Sequence, residues 1–385
     1  MNVGIDSISF DIPKIHLPIS TLANQRNIEP DKLIKGLGLH KMSFPDKHQD
    51  VVTFAANASL KLIQQENINP TEIARIYVGS ESGVDSSKPI ASYVLSLLES
   101  KVGIGSFRNC DVVDLTFACI GGVDALQNCL DYIRLNPSKK AIVIASDNAK
   151  YDLESSGEYT QGAGAIAMLI TSNPRILSFS NEVGVSTEGV FDFFKPRRTC
   201  SKSDITNSSD NPEWFGVLEN EVSIYKEQPV FDGQYSNQCY INRITEAYEH
   251  FKKESQQTGT LFNNWSLIFM HLPYCFQGRR TFIEIFAQEN LDLLAQAAGE
   301  NAKEKIKGPN DKQPEGGDYW RQAVFYKILV DNYEAKDWKV VSTEFDFIEP
   351  DKKKEYRKEK IVITPADIET VTQQIVRVWD KIQNR

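Results

Sequence analysis

The sequence predicts an α/β protein, in which short apolar strands alternate with amphipathic helices. Apolar segments at residues 73–78 and 141–146 have the length and composition of buried strands. Residues 49–66 and about 89–98 place apolar side chains at the three- and four-residue spacing of a helix. Strands that alternate with helices are typical of a sheet covered by helices on its faces. A chain of 385 residues is long enough for two such layered halves.

Further elements in the first 175 residues continue this pattern. Residues 2–11 are predicted to form an edge strand, and prolines punctuate the loop that follows. Helices are predicted at residues 19–27 and 30–36, the second of which ends at a Gly-Leu-Gly turn. A glycine-rich turn at residues 160–165 precedes an apolar strand that runs to Ile170.

Composition and charge exclude several classes of protein. Hydrophobic residues make up 41% and charged residues 25% of the chain, as in an ordinary globular protein. The net charge of −9 argues against nucleic acid or an anionic membrane as a partner, although basic clusters at residues 195–198 and 279–280 are candidates for binding phosphate. No apolar run reaches the ~20 residues that span a bilayer, and the N-terminus lacks a signal-peptide pattern. The six cysteines show no CxxC spacing, so reduced thiols in the cytoplasm are expected, with neither a zinc site nor disulfides.

Cys119 stands where a predicted strand, residues 111–118, passes directly into a predicted helix. The thiol is therefore expected beside the unpaired N–H groups and positive dipole end of that helix, which favour a thiolate. Ala118, Gly121 and Gly122 leave room for a substrate at the sulfur and for another backbone segment at the helix start. A buried structural cysteine is the alternative interpretation.

The second half of the chain begins with a turn-rich stretch at residues 176–230. It includes a polar surface loop predicted at 201–212, and a helix is predicted afterwards at 237–256. This stretch is the expected seam between an N-terminal half, residues 1–175, and a C-terminal half, residues 176–385.

Three chemically reactive side chains each follow a predicted strand. Glu81 follows the strand at 73–78, Cys119 follows the next strand, and the apolar strand predicted at 265–270 delivers His271. In α/β proteins, ligands bind at the carboxyl ends of strands. A carboxylate, a thiol and an imidazole in these places indicate a catalytic site, whereas each residue alone is more often a structural or solvated side chain.

Several segments carry a resemblance to a known family: GSESGVD at 79–85, AC at 118–119 with its glycines, GEYTQGAGA at 157–165, FDFFKP at 191–196, DGQYSNQCY at 232–240 and HLPYC at 271–275. In this order they closely resemble hydroxymethylglutaryl-CoA synthase, as does GLGLHKM at 36–42. The match covers roughly residues 1–290. It implies a thiolase-like fold, which is a five-layered α-β-α-β-α sandwich of two similar halves in one chain and is usually a homodimer.

The resemblance also implies the chemistry of the site, a condensation of acetyl-CoA with acetoacetyl-CoA in the mevalonate route to isoprenoids. Cys119 is then the nucleophile that carries the acetyl group, Glu81 the base that takes a proton from its methyl, and His271 the contact to the acetoacetyl carbonyl. No metal or redox cofactor is implied, since the CoA thioesters are themselves the substrates. The substrate-binding positions that carry over are Tyr151 and Thr160 beside the acyl pocket, Ser236 and Pro273 along the pantetheine path, and Arg280 near the CoA phosphates.

The resemblance ends after about residue 290. The chain lacks the family's Gly-Asn-x-Tyr-Thr segment and its late Gly/Ser-rich turn, and instead holds a charged strand candidate at 338–347 and a helix pattern at 365–383. Two alternatives therefore stay open. One is a β-branching synthase that acts on β-ketoacyl groups held by a carrier protein, and the other is a non-catalytic thiolase-fold subunit that binds partners.

Overall fold

The structure is a computed structural model that describes residues 2–207, 220–290, 306–311, 313–332, 339–340, 342–350 and 356–383. The chain divides into two compact units, Met1–Thr281 and Phe282–Arg385. The predicted halves, divided at residue 175, stay a prediction.

One mixed sheet dominates the described part of the first unit. The strands are β1 Val3–Asp11, β2 Ile15–Pro18, β3 Lys41–Phe44, β4 Ile73–Gly79, β5 Asp111–Leu115, β6 Lys140–Ala149, β7 Gly162–Ser172, β8 Leu177–Ser178, β9 Arg197–Ser201 and β10 Glu221–Tyr225. The helices are α1 Ile19–Gln25, α2 Pro30–Leu37, α3 Val51–Gln65, α4 Ile90–Val102, α5 Gly121–Leu135, α6 Lys202–Thr206, α7 Gly233–Glu254 and α8 Gln277–Glu289, which runs past the unit boundary. The main sheet has the order β5-β4-β6-β7-β1-β8. β4 is parallel to β5 and β6, whereas the other pairs are antiparallel.

Alternating side chains on the central strands supply a core on each face of this sheet. Ile76 of β4 and Ile142 of β6 belong to the cluster that includes α3 and α4. Their neighbours Tyr77 and Val143 belong to the cluster on the other face, with α5. Because both faces are covered by helices, these strands have continuous apolar sequences, as the sequence predicts.

The parallel strands end at one edge of the sheet. Gly79 of β4 lies level with Leu115 of β5 and with Ala145 of β6 in the strand register. The loops that follow β4 and β5 carry Glu81 and Cys119. Both side chains therefore start from the same edge.

Smaller elements flank this sheet. β2 pairs with β3, and β9 pairs with β10, each in antiparallel fashion. α1 and α2 pack with β3 in a cluster that includes Ile19, Leu33 and Met42. α3 begins at a capping box, in which Asp50 and Thr53 satisfy each other's backbone N–H groups.

The described part of the second unit is a small α/β assembly. It consists of the antiparallel pair β11 Thr343–Pro350 and β12 Tyr356–Ile361, together with α9 Asp318–Asp331 and α10 Pro365–Gln383. Trp320 of α9 packs with Ile361 of β12 in its core. The helix predicted at 365–383 is confirmed, and the strand candidate at 338–347 overlaps β11, although its first residue lies outside the described residues. None of the described helices combines the length and the apolar character needed to cross a bilayer.

Two predictions about the first unit need correction. β1 is not an edge strand, because the two-residue β8 pairs with it at Gly4 and Ile5. So short a strand has no periodicity by which the sequence could predict it. The segment predicted as a loop at 201–212 contains the last residue of β9 and all of α6. Residues 208–212 lie outside the described residues.

The strand predicted at residues 265–270 is wrong. The segment has no regular secondary structure, and no described strand pairs with it. A strand needs a partner for its N–H and C=O groups, so apolar character alone does not produce one. Trp265 instead packs against Tyr248 and Phe251 of α7, while the side chain of Phe269 is 84% exposed.

Candidate active site

Cys119 lies in the turn between β5 and α5. β5 ends at Leu115, and α5 begins at Gly121 with Ile120 as its N-cap residue. Ala118 has a left-handed backbone with a φ of 41°, a conformation that costs energy in a residue with a Cβ. The strand therefore ends earlier than predicted, and a strained turn holds the thiol just ahead of α5.

Glycines let β4 and α5 approach closely behind Cys119. A Cβ built on Gly79 would lie 2.1 Å from the backbone nitrogen of Gly122, and one on Gly121 would lie 2.5 Å from the carbonyl oxygen of Leu115. Only glycine fits at such a distance from another backbone. The close backbone packing predicted at the helix start is confirmed, and it brings the loop after β4 next to the thiol.

Glu81 lies beside this thiol. Cys119 Sγ is 3.6 Å from Glu81 Oε1, so the S–H group can donate to the carboxylate. Asp147, near the end of β6, fixes the loop around Glu81. Its Oδ1 accepts hydrogen bonds from the Glu81 N–H at 2.9 Å and from the hydroxyl groups of Ser80 and Ser82 at 3.1 and 3.0 Å.

Lys195 is a member of the site that sequence reasoning missed. Its Nζ lies 3.2 Å from Glu81 Oε2 and 3.1 Å from the Glu81 carbonyl oxygen. The sequence marked the basic cluster at 195–198 as a candidate for phosphate, but the Lys195 ammonium is engaged by Glu81. The FDFFKP segment at 191–196 was the only signal that this lysine belongs near the site.

The electrostatics of Cys119 differ from the prediction. The pKa of Cys119 is raised to about 12. Burial of the thiol is the largest cause, and the negative charges of Glu81 and Asp147 come next. Among the main contributors, only the charge of Lys195 lowers the pKa. A depressed pKa was expected from the helix end, but two nearby carboxylates and burial outweigh that dipole. The resting thiol is therefore protonated at neutral pH, and its attack on a substrate requires a base.

His271 lies within electrostatic reach of Glu81, although no strand delivers it. Partial burial lowers the pKa of His271, and the Glu81 charge opposes that shift. The Tyr240 hydroxyl donates a hydrogen bond to the His271 carbonyl oxygen, and the two rings are 6.3 Å apart. The backbone at His271 is thus held by α7. Burial therefore favours the neutral form of the imidazole.

Tyr151 and Thr160 lie together near the thiol. Burial raises the pKa of Tyr151 to about 12, and the charges of Glu81 and Cys119 raise it further. A hydrogen bond with Thr160 acts in the opposite direction and lowers this pKa. A Cβ on Gly157 would lie 2.1 Å from the Tyr151 ring, so the turn at Gly157 closely backs the tyrosine.

Ser236, Pro273 and Arg280 have their described contacts elsewhere. Ser236 Oγ donates to Asp192 at 2.7 Å, and Arg280 donates to the Tyr274 hydroxyl at 2.9 Å while lying over its ring. Pro273 is exposed. Their substrate-binding roles stay predictions. The described residues contain no group of three or more His, Cys, Asp or Glu side chains that could hold a metal ion.

The fold and the site define an α/β protein with a paired thiol and carboxylate at the carboxyl edge of its main sheet. The solved structure of MvaS in complex with 3-hydroxy-3-methylglutaryl coenzyme A superposes with a TM-score of 0.62 at 29% identity, covering 74% of this chain and 62% of that one. An HMG-CoA synthase complexed with CoA also gives 0.62 at 28% identity, covering 80% and 69%. The predicted thiolase-like fold class is confirmed.

Sequence comparisons define the family. Residues 1–175 match the model for the hydroxymethylglutaryl-coenzyme A synthase N terminal, and residues 221–334 match that for its C terminal. Hydroxymethylglutaryl-CoA synthase of Haloferax volcanii is 31% identical over 88% of this chain and 69% of its own, and that of Enterococcus faecalis is 33% identical over 74% and 64%. The chain belongs to the hydroxymethylglutaryl-CoA synthase family. It spans about two thirds of the length of these relatives.

Proposed function

We propose that this protein condenses acetyl-CoA with acetoacetyl-CoA to give 3-hydroxy-3-methylglutaryl-CoA and CoA. The observation that carries the proposal is the 3.6 Å contact between Cys119 Sγ and Glu81 Oε1 at the carboxyl edge of the sheet. A nucleophile that holds an acetyl group, next to a base that can remove a methyl proton, is what this reaction needs. Membership of the family supports the same reaction.

Acetyl transfer to Cys119 comes first. The thiol passes its proton to Glu81 as the sulfur attacks the carbonyl carbon of acetyl-CoA, and the CoA thiolate leaves with a proton from Glu81. The high pKa of Cys119 makes this transfer necessary, because little thiolate is present beforehand. The product of this step is an acetyl thioester on Cys119.

Carbon–carbon bond formation follows. Glu81 removes a proton from the acetyl methyl group, and the resulting carbanion attacks the ketone carbon of acetoacetyl-CoA. The neutral imidazole of His271, whose pKa is lowered by burial, donates a hydrogen bond to the ketone oxygen as negative charge grows there. That oxygen then takes the imidazole proton and becomes the 3-hydroxyl group, while a proton from solvent restores the imidazole. Water then hydrolyses the bond to Cys119 and releases the product.

Free CoA thioesters are the proposed substrates, and the proposed pathway is mevalonate-dependent isoprenoid synthesis. Two similar solved structures hold 3-hydroxy-3-methylglutaryl-CoA and CoA, which supports this substrate class. A carrier-bound substrate is not favoured. The curacin pathway HMG synthase in complex with acetyl donor-ACP is only 20% identical to this chain, so the similarity supports a shared fold but not a shared substrate. We infer no need for a metal or redox cofactor, because the thioester itself makes the methyl protons acidic.

The proposed assembly is a homodimer in the cytoplasm. β5 lies at the edge of the main sheet, and apolar side chains on and just after it are exposed, including Val113, Phe117, Ile120 and Val123. An exposed apolar edge strand favours pairing with a second chain. All six cysteines are free, which supports a reducing compartment.

A two-substrate assay tests the proposed function. Purified protein given acetyl-CoA and acetoacetyl-CoA together should release CoA and form a product with the mass of 3-hydroxy-3-methylglutaryl-CoA, whereas the Cys119→Ser variant should form none. Product obtained only from acyl groups on a carrier protein would support the β-branching alternative. No product from either source would support the non-catalytic alternative.

A further inference from the structure

The two carboxylate oxygens of Glu81 contact different partners, one of which is Lys195. Oε1 of Glu81 faces the Cys119 thiol at 3.6 Å, while Oε2 lies 3.2 Å from the Lys195 ammonium. Lys195 also donates to the Glu81 carbonyl oxygen at 3.1 Å. Two contacts to the same residue fix both the backbone and the side chain of Glu81.

This ion pair is shielded from water. The side chains of Lys195 and Glu81 are 20% and 14% exposed, so salt and solvent screen their attraction weakly. The backbone next to Lys195 is fixed as well, because Phe194 and Val230 exchange N–H···O=C hydrogen bonds at 3.2 and 2.8 Å. The ammonium group is therefore delivered by a paired backbone segment.

The groups around the Cys119 thiol explain why a cation matters there. Glu81 and Asp147 place negative charge beside the sulfur, the Tyr151 hydroxyl is neutral, and His271 faces Glu81. A thiolate that forms there by loss of its proton to solvent adds a further negative charge. The positive charge of Lys195 opposes the effect of the two carboxylates on the pKa of Cys119.

We propose that Lys195 is a positioning residue for acetyl transfer. It holds Oε2 of Glu81 so that Oε1 faces the sulfur, and its positive charge offsets the negative charge that moves from Glu81 to the sulfur as the proton is transferred. This role rests on the proposed function, but its electrostatic part is measurable without turnover.

Alkylation of Cys119 by iodoacetamide, followed against pH by peptide mass spectrometry on the full chain, tests the proposal. In Lys195→Met, we expect the alkylation rate of Cys119 at pH 9 to fall about tenfold. A rise of about one unit in the pKa of Cys119 would lower the thiolate fraction by that factor. Lys195→Arg should restore most of that rate, because it keeps the charge. The exposed Cys275 serves as the internal reference and should not change.

Lys226→Met is the matched control. Lys226 follows β10, which pairs with the strand after Lys195, and its Nζ lies 2.7 Å from Asp152. This variant removes the same charge from the same region, and we expect a wild-type alkylation profile for Cys119. The proposal is wrong if Lys195→Met keeps the wild-type profile or if Lys226→Met shows the same loss. A wild-type protein without condensing activity would overturn the proposed function while leaving the alkylation result to stand.

Discussion

A carboxylate in contact with a thiol opposes ionisation of that thiol, and this effect governs the site at the scale of single residues. Cys119 stays protonated because burial and two carboxylates raise its pKa to about 12. The sulfur becomes a strong nucleophile only when a base accepts the thiol proton. Glu81, at 3.6 Å, is the group that we propose accepts it.

Glu81→Gln tests this role, because glutamine keeps the shape of the side chain but cannot accept the proton. We expect the rate of condensation to fall by about 10²- to 10⁴-fold. Glu227→Gln is the control, since Glu227 pairs with Lys150 and should keep the wild-type rate. A Glu81→Gln enzyme within tenfold of wild type contradicts the proposed base.

Sequence alone predicted Cys119 and Glu81 as site candidates because each comes directly after a predicted strand. Lys195 was not predicted as their partner, since it is separated from Glu81 by 114 positions and reaches it from a loop. Loop conformation has no simple sequence periodicity. The pKa of Cys119 was mispredicted because burial of the thiol, its largest cause, and the nearby carboxylate of Asp147 on β6 both depend on tertiary packing.

At the scale of elements, close packing between β4 and α5 brings Glu81 to Cys119. Strands β4 and β6 were predictable because residues such as Ile76 and Ile142 sit in apolar runs covered by helices. The segment at 265–270 is equally apolar, yet it forms no strand, because pairing depends on a neighbour elsewhere in the chain. Periodicity predicts the candidate strand but not the partner.

Gly79→Ala tests the contact between β4 and α5. The new Cβ would lie 2.1 Å from the Gly122 nitrogen, and neither backbone can yield without moving its element. We expect the free energy of unfolding, measured by urea denaturation, to fall by about 3 kcal/mol. Gly83→Ala meets no atom within 4 Å and should leave it unchanged. Equal urea midpoints for both variants would argue against this packing.

A second test concerns the ion pair that ties α1 to the turn behind Tyr151. Arg26 donates to both carboxylate oxygens of Glu158, at 2.9 and 2.7 Å, and the Glu158 side chain is 3% exposed. Hydrogen bonds from Arg26 are the main cause that lowers the pKa of Glu158. Since the folded pKa lies below the unfolded value, the stabilisation is present above the unfolded pKa and is lost as pH falls through the folded one.

Arg26→Met should therefore lower the free energy of unfolding by about 3 kcal/mol at pH 7, because it leaves a buried carboxylate unpaired. The difference from wild type should shrink as pH falls through the lowered folded pKa of Glu158, where the carboxylate takes up a proton. Lys35→Met breaks an exposed pair with Asp31 and should cost no more than about 0.5 kcal/mol. A pH-independent loss in Arg26→Met would mean that the ion pair is not its cause.

At the scale of the whole molecule, the helix–sheet–helix arrangement of the first unit was predictable, because its strands and helices alternate in the sequence. The described part of the second unit contains a two-stranded sheet and a small core around Trp320. The match to the C-terminal family model ends at residue 334 within this unit, and beyond it the last helix had the clearest sequence pattern. The exposed edge strand β5 of the first unit is the feature that favours pairing with a second copy of the chain.

Val113→Lys tests the proposed dimer. A charge on the exposed face of β5 should prevent pairing of two edges, so we expect the mass from light scattering to change from dimer to monomer. Ile104→Lys, at an apolar residue that is 90% exposed outside this edge, should leave the dimer intact. A monomeric wild-type protein, or a dimeric Val113→Lys variant, would overturn the proposed interface.

The covalent intermediate gives the most direct test of the central claim, that Cys119 and Glu81 act together on an acetyl group. The protein should be incubated with isotopically labelled acetyl-CoA, digested and mapped by mass spectrometry, with and without acetoacetyl-CoA. The account predicts one labelled acetyl group on the peptide that contains Cys119, and its disappearance when acetoacetyl-CoA is added. An unlabelled Cys119, or a label that persists after acetoacetyl-CoA is added, would contradict it.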